Sequence, residues 1–192
     1  MIERQSFIEK AFKKTKYRLR YKIIVVPLYR ERYKQPFNTA VMNAQNAIQI
    51  LQAYATGLSA QSRQHKVQSQ VFASWGLKKL ADKYADHSKE EAEWVDKMVA
   101  RIIELGGEPK VEATPEQKIY KDVVEFIKAD LAVSVKEVPV LGQVTLSLAE
   151  DMTTYDIMKA YYQDEEQDMY WMQGQLDLIE CIGLQNWLVQ QL

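Results

Sequence analysis

Two carboxylates near the C-terminal end of the chain stand three residues apart, in the stretch DEEQDMYWMQGQLDLIE at 164–180. On an α-helix, Glu165 and Asp168 would share one face, one turn apart. The other residues on that face are apolar: Met158, Tyr161, Met172, Leu176 and Ile179. Burying a carboxylate without a partner is costly. The pair therefore predicts either a positive charge inside the core or a face that reaches solvent.

Two more ionisable residues, His65 and Glu91, fall on the inward stripes of two other helices. Carboxylates and imidazoles suit iron or manganese, so one hypothesis is a residual metal site formed by Glu91, Glu165, Asp168 and His65. The alternative is a metal-free polar cluster in which protonated His65 forms a salt bridge with the acids. A third reading places the acids in solvent. His87 is interpreted as a boundary residue rather than a ligand.

These residues must be positioned by helices. Apolar residues recur at alternating spacings of three and four from about 38 to 74 and from about 77 to 105, as in buried helices of a bundle. A further long helix is predicted from about Met152 to Ile182, with Gly183 ending it. The segment LQNWLVQQL at 184–192 predicts a short last helix.

A third long helix is predicted beyond GGEP at 106–109, whose glycines and proline end the second one. In TPEQ, Thr114 is the candidate N-cap, Pro115 takes the first helical position and Gln117 completes a capping box. Pro139 is expected to kink or break this helix because it removes a backbone donor. The elements together predict an all-α, up-and-down four-helix bundle with a long crossover and a short fifth C-terminal helix.

Composition fits one domain of ordinary size. The chain has 192 residues, of which 47% are hydrophobic and 27% charged. A single cysteine, Cys181, excludes an internal disulfide framework and a cysteine-rich zinc site, and suits a reducing compartment. No apolar run approaches the roughly 20 residues of a membrane span. We therefore expect a cytoplasmic protein, with peripheral attachment to a membrane as an open alternative.

The charge is unevenly distributed. Residues 1–36 contain eleven Lys/Arg and three Glu, a net charge of +8, whereas the remainder carries −9. This segment, here called the basic arm, includes KKTKYRLRYK at 13–22 and YRERYK at 29–34. Residues 1–36 are predicted to dock onto a protein partner and 37–192 to form the bundle. An anionic membrane surface, nucleic acid and an organelle transit peptide are the other readings.

Several blocks of the sequence resemble the bacterioferritin family. They are WGLKKL (75–80), RIIELGGEP (101–109), DLA (130–132), DEE (164–166) and QLDLIECIGLQNWL (175–188). The resemblance extends from about Ala47 to the C-terminus. It implies a ferritin-like bundle that assembles into a hollow cage and oxidises and stores iron. It also implies a haem held between paired subunits by a methionine on the second helix.

On the first two helices, most functional positions of the family carry other residues. The glutamate position of the first helix is Leu58. The second helix keeps Glu91, but Trp94 stands where the resemblance implies its histidine partner. Ala92 stands at the haem methionine position, so no haem is expected.

On the last two helices, the match is again partial. The third-helix carboxylate position falls on Ser134 when counted from the second helix, and on Ala132 when counted back from Glu165. The fourth helix keeps Glu165 and has Asp168 in place of histidine. The di-iron centre is therefore interpreted as largely lost.

Two functions follow as expectations. The first is a bacterioferritin-like iron-storage or iron-handling subunit with iron as the candidate metal. Because most ferroxidase ligands are replaced, we do not expect it to be an enzyme by itself. It would form homo- or hetero-oligomers with bacterioferritin-like subunits. The alternative is a non-catalytic ferritin-fold scaffold that docks through residues 1–36 into a larger, membrane-associated complex.

Overall fold

The computed structural model describes residues 34–192, with side chains from Asn43 onward. This part of the chain forms five helices: α1 (Lys34–Ser74), α2 (Lys78–Glu104), α3 (Val123–Ser147), α4 (Met152–Ile182) and α5 (Leu184–Gln190). The predicted all-α bundle, with its long crossover and short last helix, is confirmed. None of these helices is long and apolar enough to cross a membrane. Residues 1–33 of the basic arm lie outside the described residues, and the predicted boundary at 36/37 stays a prediction.

Glycine ends two of the helices where the sequence indicates. Gly106 follows the end of α2 with φ of 81°, and Gly183 follows α4 with the same φ. Residues with a Cβ avoid this left-handed region, so glycine reverses the chain there without strain. Both predicted helix ends are confirmed.

The predicted start of the third helix at Thr114 is wrong. The helix α3 begins at Val123, and Asp122 is its N-cap, accepting a hydrogen bond from the Glu125 N–H at 2.7 Å. Residues 105–122 instead form a non-helical crossover. Asp122 satisfies one of the unpaired N–H donors in the first turn of α3, which is the role predicted for Thr114.

Glutamines of α1 explain why the crossover is not helical. The Gln52 side chain donates to the Lys110 carbonyl at 3.0 Å and accepts from the Lys110 N–H at 2.8 Å. Gln68 makes the same two bonds to the backbone of Tyr120, at 3.1 and 2.9 Å. Because these backbone groups find partners on another element, the segment has no need of helical hydrogen bonds.

Pro139 does not break α3, which continues to Ser147. The proline removes the hydrogen bond that its N–H would have donated to the Val135 carbonyl. Both residues are exposed on the outer face of the helix, so water can satisfy this carbonyl. The expectation of a break is therefore wrong.

The buried apolar residues form two clusters along the bundle. The first includes Phe72, Leu80, Tyr84, Phe126, Ile127 and Trp187. The second includes Leu51, Leu58, Met98, Ile102, Leu141 and Met158. On each long helix, the residues between the two clusters include polar or ionisable side chains, which form a polar layer across the middle of the bundle.

Candidate functional site

His65 is the centre of the polar layer. It is 2% exposed and lies on α1, with its Nδ1 atom 2.9 Å from Glu91 Oε1 on α2 and its Nε2 atom 3.3 Å from Asp130 Oδ1 on α3. The Nδ1 contact is an ion pair without an aligned hydrogen bond, whereas Nε2 bonds to Asp130. One imidazole therefore joins three helices.

The positive charge in this group comes from His65. Burial alone lowers the pKa of His65, but the hydrogen bond to Asp130, the close contact with Glu91 and the charges of both acids outweigh it and raise this pKa to about 10. His65 is therefore an imidazolium at neutral pH. Burial raises the pKa of Glu91, and His65 opposes that rise.

A second contact between a histidine and an acid joins α2 to α4. His87 Nε2 is 3.1 Å from Asp168 Oδ1, and Lys83 Nζ is 3.4 Å from the same oxygen. Burial raises the pKa of Asp168, but the close contact with His87, followed by the charge and hydrogen bond of Lys83, outweighs it and lowers this pKa. His87 is 3% exposed, so it is a core residue with an acidic partner rather than a boundary residue.

Leu58 and Trp94 fill space beside the polar layer. Leu58 is 3% exposed within the second apolar cluster, and Trp94 packs against that cluster. The Trp94 indole N–H donates to Asp164 at 2.6 Å, and its ring lies 5.8 Å from that of Tyr161. These contacts fix the indole at a position where the bacterioferritin pattern implies a ligand.

On α3, the structure separates the two counted positions. Ser134 is 4% exposed and faces inward, whereas Ala132 is exposed. The carboxylate that reaches the polar layer from this helix is Asp130, one turn before Ser134. It occupies DLA, one of the blocks that carry the resemblance, but it was not among the predicted site residues.

Glu165 lies beside a groove rather than in the His65 cluster. This groove, here called the Glu165 groove, has a volume of about 520 Å³ and lies between α1, α3 and α4. Burial and the charge of Glu91 raise the pKa of Glu165 to about 8, although the Tyr161 hydroxyl opposes the rise. Burial, and then the charge of Glu137, raise the pKa of Tyr54, and both residues line the groove.

The four predicted ligands are thus distributed over separate groups. His65 and Glu91 form one ion pair, Asp168 belongs to the His87 pair, and Glu165 lines the groove. Within residues 34–192, no three His, Cys, Asp or Glu side chains are placed to hold a metal ion together. The donor set does not fit a resident di-iron centre, and the residual four-ligand site stays a prediction.

The sequence did not predict the contact of Asp130 with His65 or that of His87 with Asp168, for two different reasons. His87 lies four residues before Glu91, on the same stripe of α2, and this spacing was a usable signal. Asp130 lies 65 residues from His65, and only the packing of α3 against α1 brings their side chains together.

A four-helix bundle with a short fifth helix and inward carboxylates is the architecture of ferritin-like proteins. The ferritin-like domain family matches residues 48–182 of this chain. A bacterial ferritin of Neisseria meningitidis serogroup B is 33% identical over 151 residues, covering 77% of this chain and 97% of that protein.

Two further relatives are also a bacterial ferritin and a bacterioferritin. A bacterial ferritin of Pseudomonas aeruginosa is 30% identical over 148 residues, which are 76% of this chain and 96% of that protein. A bacterioferritin of Rhodobacter capsulatus is 28% identical over 125 residues, which are 64% of this chain and 78% of that protein. The chain belongs to the ferritin-like family, and its resemblance to bacterioferritins is confirmed.

Proposed function

We propose that this chain is an iron-handling subunit of a bacterioferritin-like assembly and lacks a ferroxidase centre of its own. The observation that carries the proposal is the imidazolium of His65 between Glu91 and Asp130, at 2.9 and 3.3 Å. It places a positive charge beside Glu91, a carboxylate that a di-iron centre would need free. Iron is the cargo of such an assembly, and its oxidation would fall to other subunits.

Charge balance supports the proposal. His65 and Lys83 supply two positive charges against Glu91, Asp130 and Asp168. A pKa of about 8 leaves Glu165 mostly protonated at neutral pH, so it adds little further negative charge. A buried acid cluster whose charge is partly compensated has a weaker demand for divalent cations.

The packing of Leu58 and Trp94 also supports the proposed loss of the ferroxidase centre. Leu58 and Trp94 place an isobutyl group and an indole beside the remaining acids, and apolar volume excludes both water and ions. Filling such space stabilises a bundle at the expense of its site.

Assembly with ferritin-like subunits is the second part of the proposal. Large apolar side chains are exposed on several helices of the described chain: Ile103, Val135, Leu146, Met152 and Val189. Contiguous apolar patches mark contacts between proteins, and these side chains are the candidates for such a patch. Homo-oligomers and mixed oligomers with complete bacterioferritin-like subunits are both consistent with this surface.

Stopped-flow oxidation of ferrous iron by the purified protein tests the loss of the centre. At two irons per subunit, we expect no fast phase, and the same slow rate in wild type and in a Glu91→Gln variant. Native mass spectrometry with metal analysis of the same samples would report the assembly and its iron content. A fast phase in the wild type that disappears in Glu91→Gln would disprove the proposal.

A further inference from the structure

The Glu165 groove is a cavity that the proposed function does not use. The α1 residues in its wall are Ala53, Tyr54, Gly57, Leu58 and Gln61, and α3 and α4 supply the rest. Its volume of about 520 Å³ falls within the range of small-molecule sites. Such sites combine apolar walls with a few polar groups, as this groove does.

The interior of the groove is apolar. Leu58 and Leu141 are 3% and 2% exposed, and Val138 is 4% exposed. Gly57 leaves open space, because a Cβ atom built on it would meet nothing within 4 Å. The groove therefore has room for an apolar body next to side chains that already exclude water.

The polar groups of the groove favour a cation. Its wall contains two carboxyl groups, Glu137 and Glu165, and no Lys, Arg or His is among these described lining residues. The rings of Tyr54 and Tyr161 lie edge to face with centroids 6.1 Å apart. Aromatic faces attract ammonium groups, so the rings add to the preference that the Glu137 carboxylate creates.

We infer that the Glu165 groove binds a small organic ammonium ion, with its apolar body between Leu58 and Leu141 and its charged head at Glu137 and Tyr54. An inorganic cation would need several convergent ligands, and within residues 34–192 no three His, Cys, Asp or Glu side chains come together to provide them. An organic anion would be repelled by Glu137.

One existing contact must be replaced on binding. Lys136 Nζ lies 2.9 Å from Glu137 Oε1, with side chains 80% and 48% exposed. Exposed ion pairs contribute little to stability because water competes for both charges. A ligand ammonium can therefore replace Lys136 at this carboxylate.

The inference goes beyond the proposed function and can be tested without iron. The probes are 4-phenylbutylamine, 4-phenylbutanol and 4-phenylbutyrate, which share one apolar body and differ in headgroup. Titration calorimetry on the full-length protein should give the order amine, alcohol, carboxylate, with the amine about 2- to 5-fold tighter than the alcohol, as for an accessible ion pair. The Glu137→Gln variant should remove the difference between amine and alcohol.

A matched pair of glycine variants tests the location. Gly57→Leu should abolish binding of the amine by filling the groove. Gly174→Leu is the control, because Gly174 on α4 also has open space at its Cβ position but does not line the groove. Equal affinities for the three probes, no binding of the amine to wild type, or unchanged binding in Gly57→Leu would each overturn the inference.

Discussion

At the scale of single residues, His65 connects three helices through one charged ring. Glu91 and Asp130 are both largely buried, and each depends on His65 for compensation of its charge. Removing one member of such a group leaves an uncompensated charge in the core. This destabilises the fold more than replacing the whole group by apolar residues would. The stability of the polar layer therefore depends on a side chain that could also have been a metal ligand.

Replacing His65 with Leu should lower the free energy of unfolding by roughly 3–5 kcal/mol, the range for breaking a buried ion pair. Urea unfolding of wild type and variant measures this. Gln61→Leu is the control, one turn earlier on the same helix, and should change stability by less than about 1 kcal/mol. If the cluster binds metal, His65→Leu should lose metal instead. A variant that keeps both stability and metal content would show that the stripe is solvated.

The contribution of His65 to the free energy of unfolding depends on pH. The pKa of His65 is raised from 6.5 to about 10 in the folded state. Its stabilisation is therefore fully present below about pH 6.5, falls as the pH rises through this window, and is lost above the folded-state pKa. Urea unfolding near the two ends of the window should show the stability advantage of wild type over His65→Gln shrinking as the pH rises.

At the scale of elements, the start of α3 depends on a choice between two capping residues. Thr114 has the better local sequence context, but Asp122 makes the capping bond to Glu125. The glutamines of α1 hold the crossover in a non-helical path and so make the later start available. A local signal is thereby overruled by contacts from another helix.

Asp122→Ala should destabilise the protein by about 1 kcal/mol, since it removes the bond that satisfies a first-turn donor. Thr114→Ala is the matched control and should change stability by less than about 0.5 kcal/mol. Chemical denaturation of the two variants gives both values. The reverse order of effects would mean that α3 begins at TPEQ in solution.

At the scale of the whole molecule, the basic arm is the feature that the bundle does not explain. Its residues 1–33 lie outside the described structure, and its role stays a prediction from sequence. Buried side chains in the described region begin at Ala47 on α1, and both apolar clusters are formed from this residue onward. We predict that the bundle keeps its core without the arm.

Deleting residues 1–36 should leave helicity and the melting temperature nearly unchanged while weakening association with a partner. Because the arm carries +8 and exposed charges are screened over about 8–10 Å near physiological salt, association should also weaken as salt rises. Pull-downs from native extract at low and high salt measure this. A full-length variant with the arm's Lys and Arg replaced by Gln separates charge from length. Equal recovery of the same partners by all three proteins would contradict the docking role.

The sequence alone determined the elements and much of the site. Helical periodicity and glycine stops are local properties, so the long helices and their ends at Gly106 and Gly183 could be derived from neighbouring residues. The positions of His65, Glu91, Glu165 and Asp168 on inward faces follow from the same periodicity. The bacterioferritin resemblance rests on short sequence blocks that lie in these helices and at their ends.

The tertiary structure decided which of these residues meet. Asp130 reaches His65 across 65 residues, and Glu165 faces a groove while Asp168 pairs with His87. Periodicity fixes the face on which a side chain lies, but not its partner on another helix, because that depends on how the helices are rotated and shifted against each other. Packing of the helices therefore decided that the inward acids do not meet at one point.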